Sequence, residues 1–409
     1  MTLGPSGPRR RAAARTTLRV AALASMSAAI AACQWLVSLS GEPLPTPPSA
    51  EEAGADVTEL PDVATPDAGP LCGREVAQRP PTTPQGPSAP QHFVFRRINP
   101  FLDAGQGFNL DCLDTQCGAP SGTPETSLSC VPPDGGQCRN LIDDVDGVDN
   151  QVVALGARQG ARLDQTRYHQ IVDEGSGGIV VALLGYSGAA DDSDVSVAVF
   201  PSGGCLEDNR CESPTGAGVG APRPPRFNGC DVYWGDPAHV NSFGLPIKTA
   251  PGYVRNHTLV VPGPVPGWAS YGSRSVAVEG QILQAVLSRV DVPDGGGALR
   301  FAMRGTFAGR VAPEEVLRIF GEQKNPVAGD PSPLCLQPYW DTVREIVCSG
   351  VDLPALGAKA TDPCSALSFQ FDFEGAPILL STKSTAATGG TSRCLFDGGP
   401  LDASSFTCP

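Results

Sequence analysis

Turn-forming residues interrupt this chain so often that long helices have almost no room. It carries 48 glycines and 41 prolines in 409 residues, about 22% against a usual ~12% for the pair. Between the interruptions lie short runs in which apolar and polar residues alternate, such as FAMRGTF from Phe301 and SFQFDF from Ser368. A period of two puts alternate side chains on opposite faces, so each run can bury one face and wet the other. Strands are expected at 92–96, 178–184, 195–200, 231–234, 252–261, 275–290, 298–307 and 366–373. The apolar GIVVALL at 178–184, the polar loop GYSGAADDSD and VSVAVF at 195–200 form a hairpin pattern. Many short strands split by Gly/Pro turns favour a mainly β head, a β-sandwich or jelly-roll-like fold, over an α/β fold. Short helices are expected at 161–174, 313–321 and 338–348. In the second, Pro313 opens the segment, Glu314 and Glu315 lie in its first turn and Gly321 closes it.

Charged residues are 18% of the chain, hydrophobic residues 41%, and the mean hydropathy is −0.08. That composition allows a packed core and lacks the low-hydrophobicity, high-charge signature of disorder. The 43 acids outnumber the 29 basic residues, giving a net charge of −14. No basic run lies in the body of the chain to face a phosphate backbone, so nucleic acid is not an expected partner.

Residues 1–32 contain no acid. Arg9, Arg10, Arg11, Arg15 and Arg19 precede an apolar run from Val20 to Ala32, broken only by Ser25 and Ser27. This is the layout of an export signal, and the run is shorter than the ~20 residues that span a bilayer as a helix. Ile30-Ala31-Ala32-Cys33 resembles the lipobox of bacterial lipoprotein precursors. The resemblance implies cleavage after Ala32 and a Cys33 thiol that takes a diacylglyceryl group; Gln34 then resembles an outer-membrane address. An ordinary secretory signal cut near Ala32 is the alternative. Removing 1–32 deletes five arginines and takes the net charge from −14 to −19. Residues 33–91 are rich in proline and read as a disordered, extended tether, and 92–409 as a β-rich ectodomain. In its order of parts the chain resembles bacterial surface lipoproteins, a likeness that implies an outer-membrane or cell-surface location and no activity.

Fourteen cysteines in an exported chain imply a disulfide-stapled head. They form three groups in sequence: Cys112, Cys117, Cys130 and Cys138; Cys205, Cys211 and Cys230; and Cys335, Cys348, Cys364, Cys394 and Cys408. Local pairing within groups is expected, connectivity stays open, and lipid on Cys33 would leave an odd thiol. Cys72 could staple the tether to the head.

The densest site chemistry is acidic. The segment CRNLIDDVDGVDNQ carries Asp143, Asp144, Asp146, Asp149 and Asn150 around Gly147. Calcium takes six to eight oxygens, which closely spaced carboxylates on a turning loop can bring to one point. These residues resemble the calcium loops of thrombospondin type 3 repeats, a resemblance that implies Ca2+ as cofactor. They do not fit an EF-hand, which would place Ile142 and Val153 at ligand positions. Upstream, Asp111 and Asp114 are further ligand candidates. A solvated Asx-rich turn without an ion is the alternative.

Enzyme signals are weak. Gly185-Tyr186-Ser187-Gly188-Ala189 approaches a nucleophile elbow, but a second strand follows it instead of a helix. His92, His169, His239 and His257 form no short pair, and Tyr233 and Trp234 could stack on a sugar ring. The expectation is a lipid-anchored, non-catalytic binding or structural module with a carbohydrate or protein ligand. A secreted hydrolase assembled from distant segments is the alternative. Mass spectrometry of the membrane-bound protein is expected to find an acylated N-terminal Cys33, and Cys33→Ala to release the protein from the membrane. Unmodified Cys33 in the bound form would refute the lipobox reading.

Overall fold

The structure is a computed structural model. It describes residues 76–81, 88–100, 102, 107–113, 128–133, 143, 147–158, 166–213, 220–263, 267–271, 274–292, 299–321, 332–386, 394–396, 399–400 and 407–408. Cys33, Cys72 and most of the tether lie outside these residues.

Alternation becomes strand in every expected segment. The strands are β1 (Gln91–Asn99), β2 (Gly178–Leu184), β3 (Asp192–Cys205), β4 (Val232–Gly235), β5 (Ala250–Arg255), β6 (Thr258–Val261), β7 (Gly267–Tyr271), β8 (Arg274–Val290), β9 (Arg300–Val311), β10 (Leu367–Ser384), β11 (Leu395–Phe396) and β12 (Gly399–Pro400). The expected hairpin is β2–β3, in register from Gly178↔Ser202 to Leu184↔Ser196. The expected strand at 252–261 is two strands. Asn256 and His257 take φ of 48° and 60°, the two left-handed residues of a tight hairpin loop.

The sandwich or jelly-roll expectation is corrected by the pairing. β1, β2, β3, β5, β6, β8, β9 and β10 join in a ring of antiparallel neighbours, which β1–β10 closes into an eight-stranded barrel. Alternation states which side chains are buried, and it is the same for two packed sheets and for one closed sheet. Strand length and sharing make the difference. The 18-residue β10 pairs with β9 along Leu367–Gly375, with β1 along Asp372–Ile378 and with β4 beyond Leu379. β3 likewise serves β5 through Asp192–Val197 and β2 through Ser196–Ser202. Strands that turn from one neighbour to another bend the sheet round on itself. Gly305 lies where β9 presses on β8; a side chain there would run into the backbone of Gln284 and Ala285.

The odd-numbered phenylalanines of β10 fill the barrel. Phe371 stacks on Phe307 at 5.1 Å between centroids, Phe95 meets Phe373 at 4.2 Å, and Phe95 meets Phe371 edge-on at 5.7 Å. Four helices lie outside: α1 (Gln151–Arg158), α2 (Thr166–Asp173), α3 (Pro313–Gly321) and α4 (Trp340–Ser349). The last three correspond to the expected helices, residues 161–165 of the first lying outside the described residues. α1 is not among the expected helices, because the turn signals of the acidic segment before it mask its short apolar period. α3 and α4 share a second core with Leu317, Trp340, Val343 and Val347, stapled by Cys335–Cys394 and Cys348–Cys408. Cys211–Cys230 is local. Cys130–Cys364 spans 234 residues and joins the first sequence group to the third, against the expectation of pairing within groups. Cys205 is a buried free thiol. Near the end of the tether the chain docks on the head: the Tyr253 hydroxyl donates to the Ala77 carbonyl at 2.6 Å, and the Arg79 guanidinium lies 5.4 Å from the Tyr253 ring centroid.

Phe371 is 1% exposed and touches aromatic rings from β1, β9 and β10. Phe371→Ala is expected to cost ~3–5 kcal/mol through lost burial and the cavity left behind, checked by denaturant unfolding. A cost below about 1 kcal/mol would show that the aromatic cluster does not hold the barrel.

Candidate functional site: a buried carboxylate cluster

The outward face of β10 begins with Ser368 and Gln370, polar side chains with no exposed surface. Two loops cover them. The Gln370 Oε1 accepts from the Phe108 amide at 2.7 Å, and its Nε2 donates to the carbonyls of Phe108 and Asp149, each at 2.5 Å. One amide side chain thus clamps the 107–113 loop and the 147–150 loop to the barrel wall. Asn150 completes the clamp: its Oδ1 accepts from the Gln370 amide at 3.2 Å, and its Nδ2 donates to the Pro100 carbonyl at 3.0 Å. The Ser368 hydroxyl accepts from the Gln151 amide at 2.7 Å and donates to Asp352 Oδ2 at 2.5 Å, while the Ser368 amide donates to Asp352 Oδ1 at 2.8 Å. Asp352 belongs to the segment that enters β10, over 200 residues from the Asp-rich motif.

Carboxylates gather beneath this clamp. Asp149 is 2% exposed and Asp143 9%. Asp149 Oδ2 accepts from the Leu110 amide at 2.5 Å, and Asp111 Oδ1 accepts from the Leu113 amide at 2.9 Å. Burial, then the charges of Asp111, Asp352 and Asp143, push the Asp149 carboxyl well above its ordinary range, against the pull of the Leu110 N–H. Burial raises Asp352 to about 7; the two Ser368 hydrogen bonds oppose the rise and Asp143 adds to it. Arg310 is the cation here. Its Nη2 donates to the Leu110 carbonyl at 2.6 Å, and burial depresses its pKa while Asp149, Asp111, Asp352 and Glu279 support its charge. Among the described residues the Arg310 guanidinium faces Asp149, Asp111, Asp352 and Glu279, and Asp143 bears on Asp149 and Asp352, so full ionisation would leave an excess of negative charge in a place with little water. Only added protons or a cation can relieve that excess.

Of the expected ligands, the structure brings Asp143 and Asp149 together with Asp111. Asp144, Asp146 and Asp114 lie outside the described residues. Asn150 is a clamp residue, both ends of its amide being engaged with backbone. Asp352 and Arg310 were missed, since neither lies in a motif; the isolated acid in VDLP was the only trace. Among the described residues no three ligating side chains are already arranged around a metal position.

The other candidates are spent on structure. Ser187 donates its hydroxyl to Asp192 at 2.9 Å, and Tyr186 is buried against Phe301. Tyr233 is fully buried, and the Trp234 indole donates to Glu207 Oε1 at 3.0 Å. Glu207 also accepts from Ser381 and Arg210. The His169 Nε2 accepts from the Ile98 amide at 3.1 Å. His92 is pushed down to about 4 by burial and by Arg300. The four histidines lie on different elements: β1, α2, the loop after β4, and the β5–β6 turn. Comparison with protein-family models, curated proteins and solved structures finds no match to the chain.

The pH dependence of the metal-free fold follows from these groups. Asp352, raised when folded, contributes stability that is full below about pH 4 and is lost as the pH rises through about 7, changing by about 1.4 kcal/mol per pH unit between those limits. His92, depressed to about 4, has the opposite sign: its contribution is present above about pH 6.5 and is lost as the pH falls through about 4. Asp149, also raised, adds a slope of the same sign as Asp352, so His92 offsets only part of the fall and the parent profile does not isolate Asp352. Asp352→Asn is therefore expected to cost most near pH 4.5 and steadily less toward pH 7.5, measured by urea unfolding in chelator. A cost that does not change with pH would refute the assignment.

Proposed function

We propose that the chain is an exported surface module held to a membrane through lipid on Cys33. In this reading the barrel is a non-catalytic binding or structural head, and calcium neutralises the carboxylate cluster around Asp149 and Asp352. The observation that carries it is the clustering of Asp111, Asp143, Asp149 and Asp352 near Arg310. Buried carboxylates that repel one another bind a hard divalent cation in preference to water, and oxygen donors are what calcium takes. The Gln370 and Ser368 clamp supports the reading, because it fixes the loops that bear Asp111 and Asp149 to the wall beside Asp352. The remaining oxygens would come from Asp144 and Asp146 of the same loop. Disulfides that tie distant segments are compatible with an oxidising, extracytoplasmic setting. The phenylalanine-filled interior supports a head that binds at its surface and not within the barrel.

Calcium that binds only the folded chain stabilises it by about 2.7 kcal/mol at a hundred times its dissociation constant. Thermal melts in calcium are thus expected to rise by several degrees over melts in chelator, and Asp149→Asn is expected to abolish the rise while leaving a folded protein. Equal melting temperatures in millimolar calcium and in chelator would overturn the ion site and leave a protonated cluster as its resting state.

A further inference from the structure

The loop between β4 and β5 ends in a rigid apolar tip. Phe243 is 76% exposed, Ile247 55% and Leu245 42%, three neighbours in a protein whose other exposed large apolar residues are scattered among the described residues. The backbone holds them out. Asn241 Oδ1 accepts from the amides of Phe243 at 2.9 Å and Leu245 at 3.0 Å, and the Asn241 amide donates to the Leu245 carbonyl at 2.8 Å. The Ile247 amide donates to the His239 carbonyl at 2.9 Å, and Val240 bridges to Pro246. Gly244, at φ 73°, sits against the Ser381 carbonyl at a distance that admits no side chain. A tip fixed in this way cannot fold its apolar side chains back onto the barrel.

Half of the few lysines of this acidic chain gather around the tip. The chain has a net charge of −14 and four lysines. Two of the four flank the tip: Lys248 follows Ile247, and Lys383 lies two residues beyond the Ser381 that Gly244 touches. The Lys383 ammonium is 5.7 Å from the centroid of the half-buried Trp234 ring. Of the acids at this end, Glu207 is 3% exposed and engaged by three donors, and Asp236 caps its own turn through the Ala238 amide. An exposed aromatic and two aliphatic side chains beside lysines and a tryptophan match the interfacial zone of a bilayer, where apolar groups enter the acyl boundary and ammonium groups meet anionic headgroups.

We infer that the Phe243–Leu245–Ile247 tip, with Lys248 and Lys383, docks the barrel onto an anionic lipid surface. The inference rests on the proposed membrane attachment and deepens it: lipid on Cys33 supplies proximity, and the tip sets which end of the barrel faces the bilayer. A single acyl signal binds weakly, and a second, weak contact on the same molecule multiplies its hold.

The test uses the full chain carrying Cys33→Ala, so that no acyl chain contributes, with vesicles of phosphatidylcholine alone or with an equal part of phosphatidylglycerol. Sedimentation with the mixed vesicles is expected to weaken at least tenfold in Phe243→Ser/Ile247→Ser, and about fivefold for each of Lys248→Ala and Lys383→Ala. All these sites are at the surface, so the variants should melt with the parent. Phe243→Trp should gain fluorescence quenching by brominated lipids over the parent. Equal binding by the parent and the Phe243→Ser/Ile247→Ser form, or no added quenching, would overturn the inference. A dimer that dissociates in that form would overturn it in favour of a second copy of the chain. Unacylated native Cys33 with tip-dependent vesicle binding would remove the anchor and keep the tip; acylated Cys33 without tip-dependent binding would do the reverse.

Discussion

The pairing of β1 with β10 is the contact on which the rest of the architecture depends. It joins His92 to Ile378 and Asn99 to Asp372, and without it the sheet would have two long open edges. A closed sheet has no edge to offer another chain. Closure also creates the interior in which Phe95 of β1 reaches Phe371 and Phe373 of β10. It fixes β10 as a platform as well, because with its inner face committed to the aromatic core, its outer polar residues must be satisfied from elsewhere. Gln370 and Ser368 are satisfied by the loops that bear Asp149 and Asp111 and by the segment that bears Asp352, so barrel closure and the carboxylate cluster are two faces of one strand. The ordering cost is large, since the partners lie some 280 residues apart and such non-local contacts form late and slowly.

Strand positions were legible because period-two alternation is a local property, and SFQFDF shows it fully: Phe369, Phe371 and Phe373 go inward. Alternation alone assigns the even positions to a wet face, and that assignment fails at Ser368 and Gln370, which loops cover. Closure was illegible for the same reason that alternation was legible. No residue within β1 or β10 states which strand it will join across the whole chain. The acidic segment showed Asp143 and Asp149, whereas Asp352 and Arg310 became visible only when topology placed them beside these. Burial in this cluster comes from distant segments, and with it the raised carboxyl pKa values that a local reading of an exposed Asx turn would not produce.

The fold also separates two kinds of acid that the net charge lumps together. Glu207 is a buried carboxylate with donors on every side, from Ser381, Arg210 and Trp234, and its pKa falls despite burial. Asp149 is buried and Asp352 partly so, and they lie close to each other's charge, and theirs rise. Cationic partners, Arg210 and Lys383, on one side and like charges on the other are what separate them. Glu207 is therefore a finished structural element that ties β4 to β10, while the aspartates can ionise together only if a cation joins them.

Cys205 gives the chain a distinct mode of failure. Folded, its thiol is pushed up to about 12 by burial and by Asp231, and a thiol in that state does not attack sulfur. Unfolding returns it to the ordinary range near ~8.5, where a useful fraction is thiolate at mildly alkaline pH. The same event exposes the disulfides that Cys130, Cys335 and Cys348 make with their partners. A melted molecule thus holds both the nucleophile and its electrophiles, and can scramble its own bridges for as long as it stays unfolded. Endurance above the melting transition is then governed by a rate, set by time spent open and by hydroxide concentration.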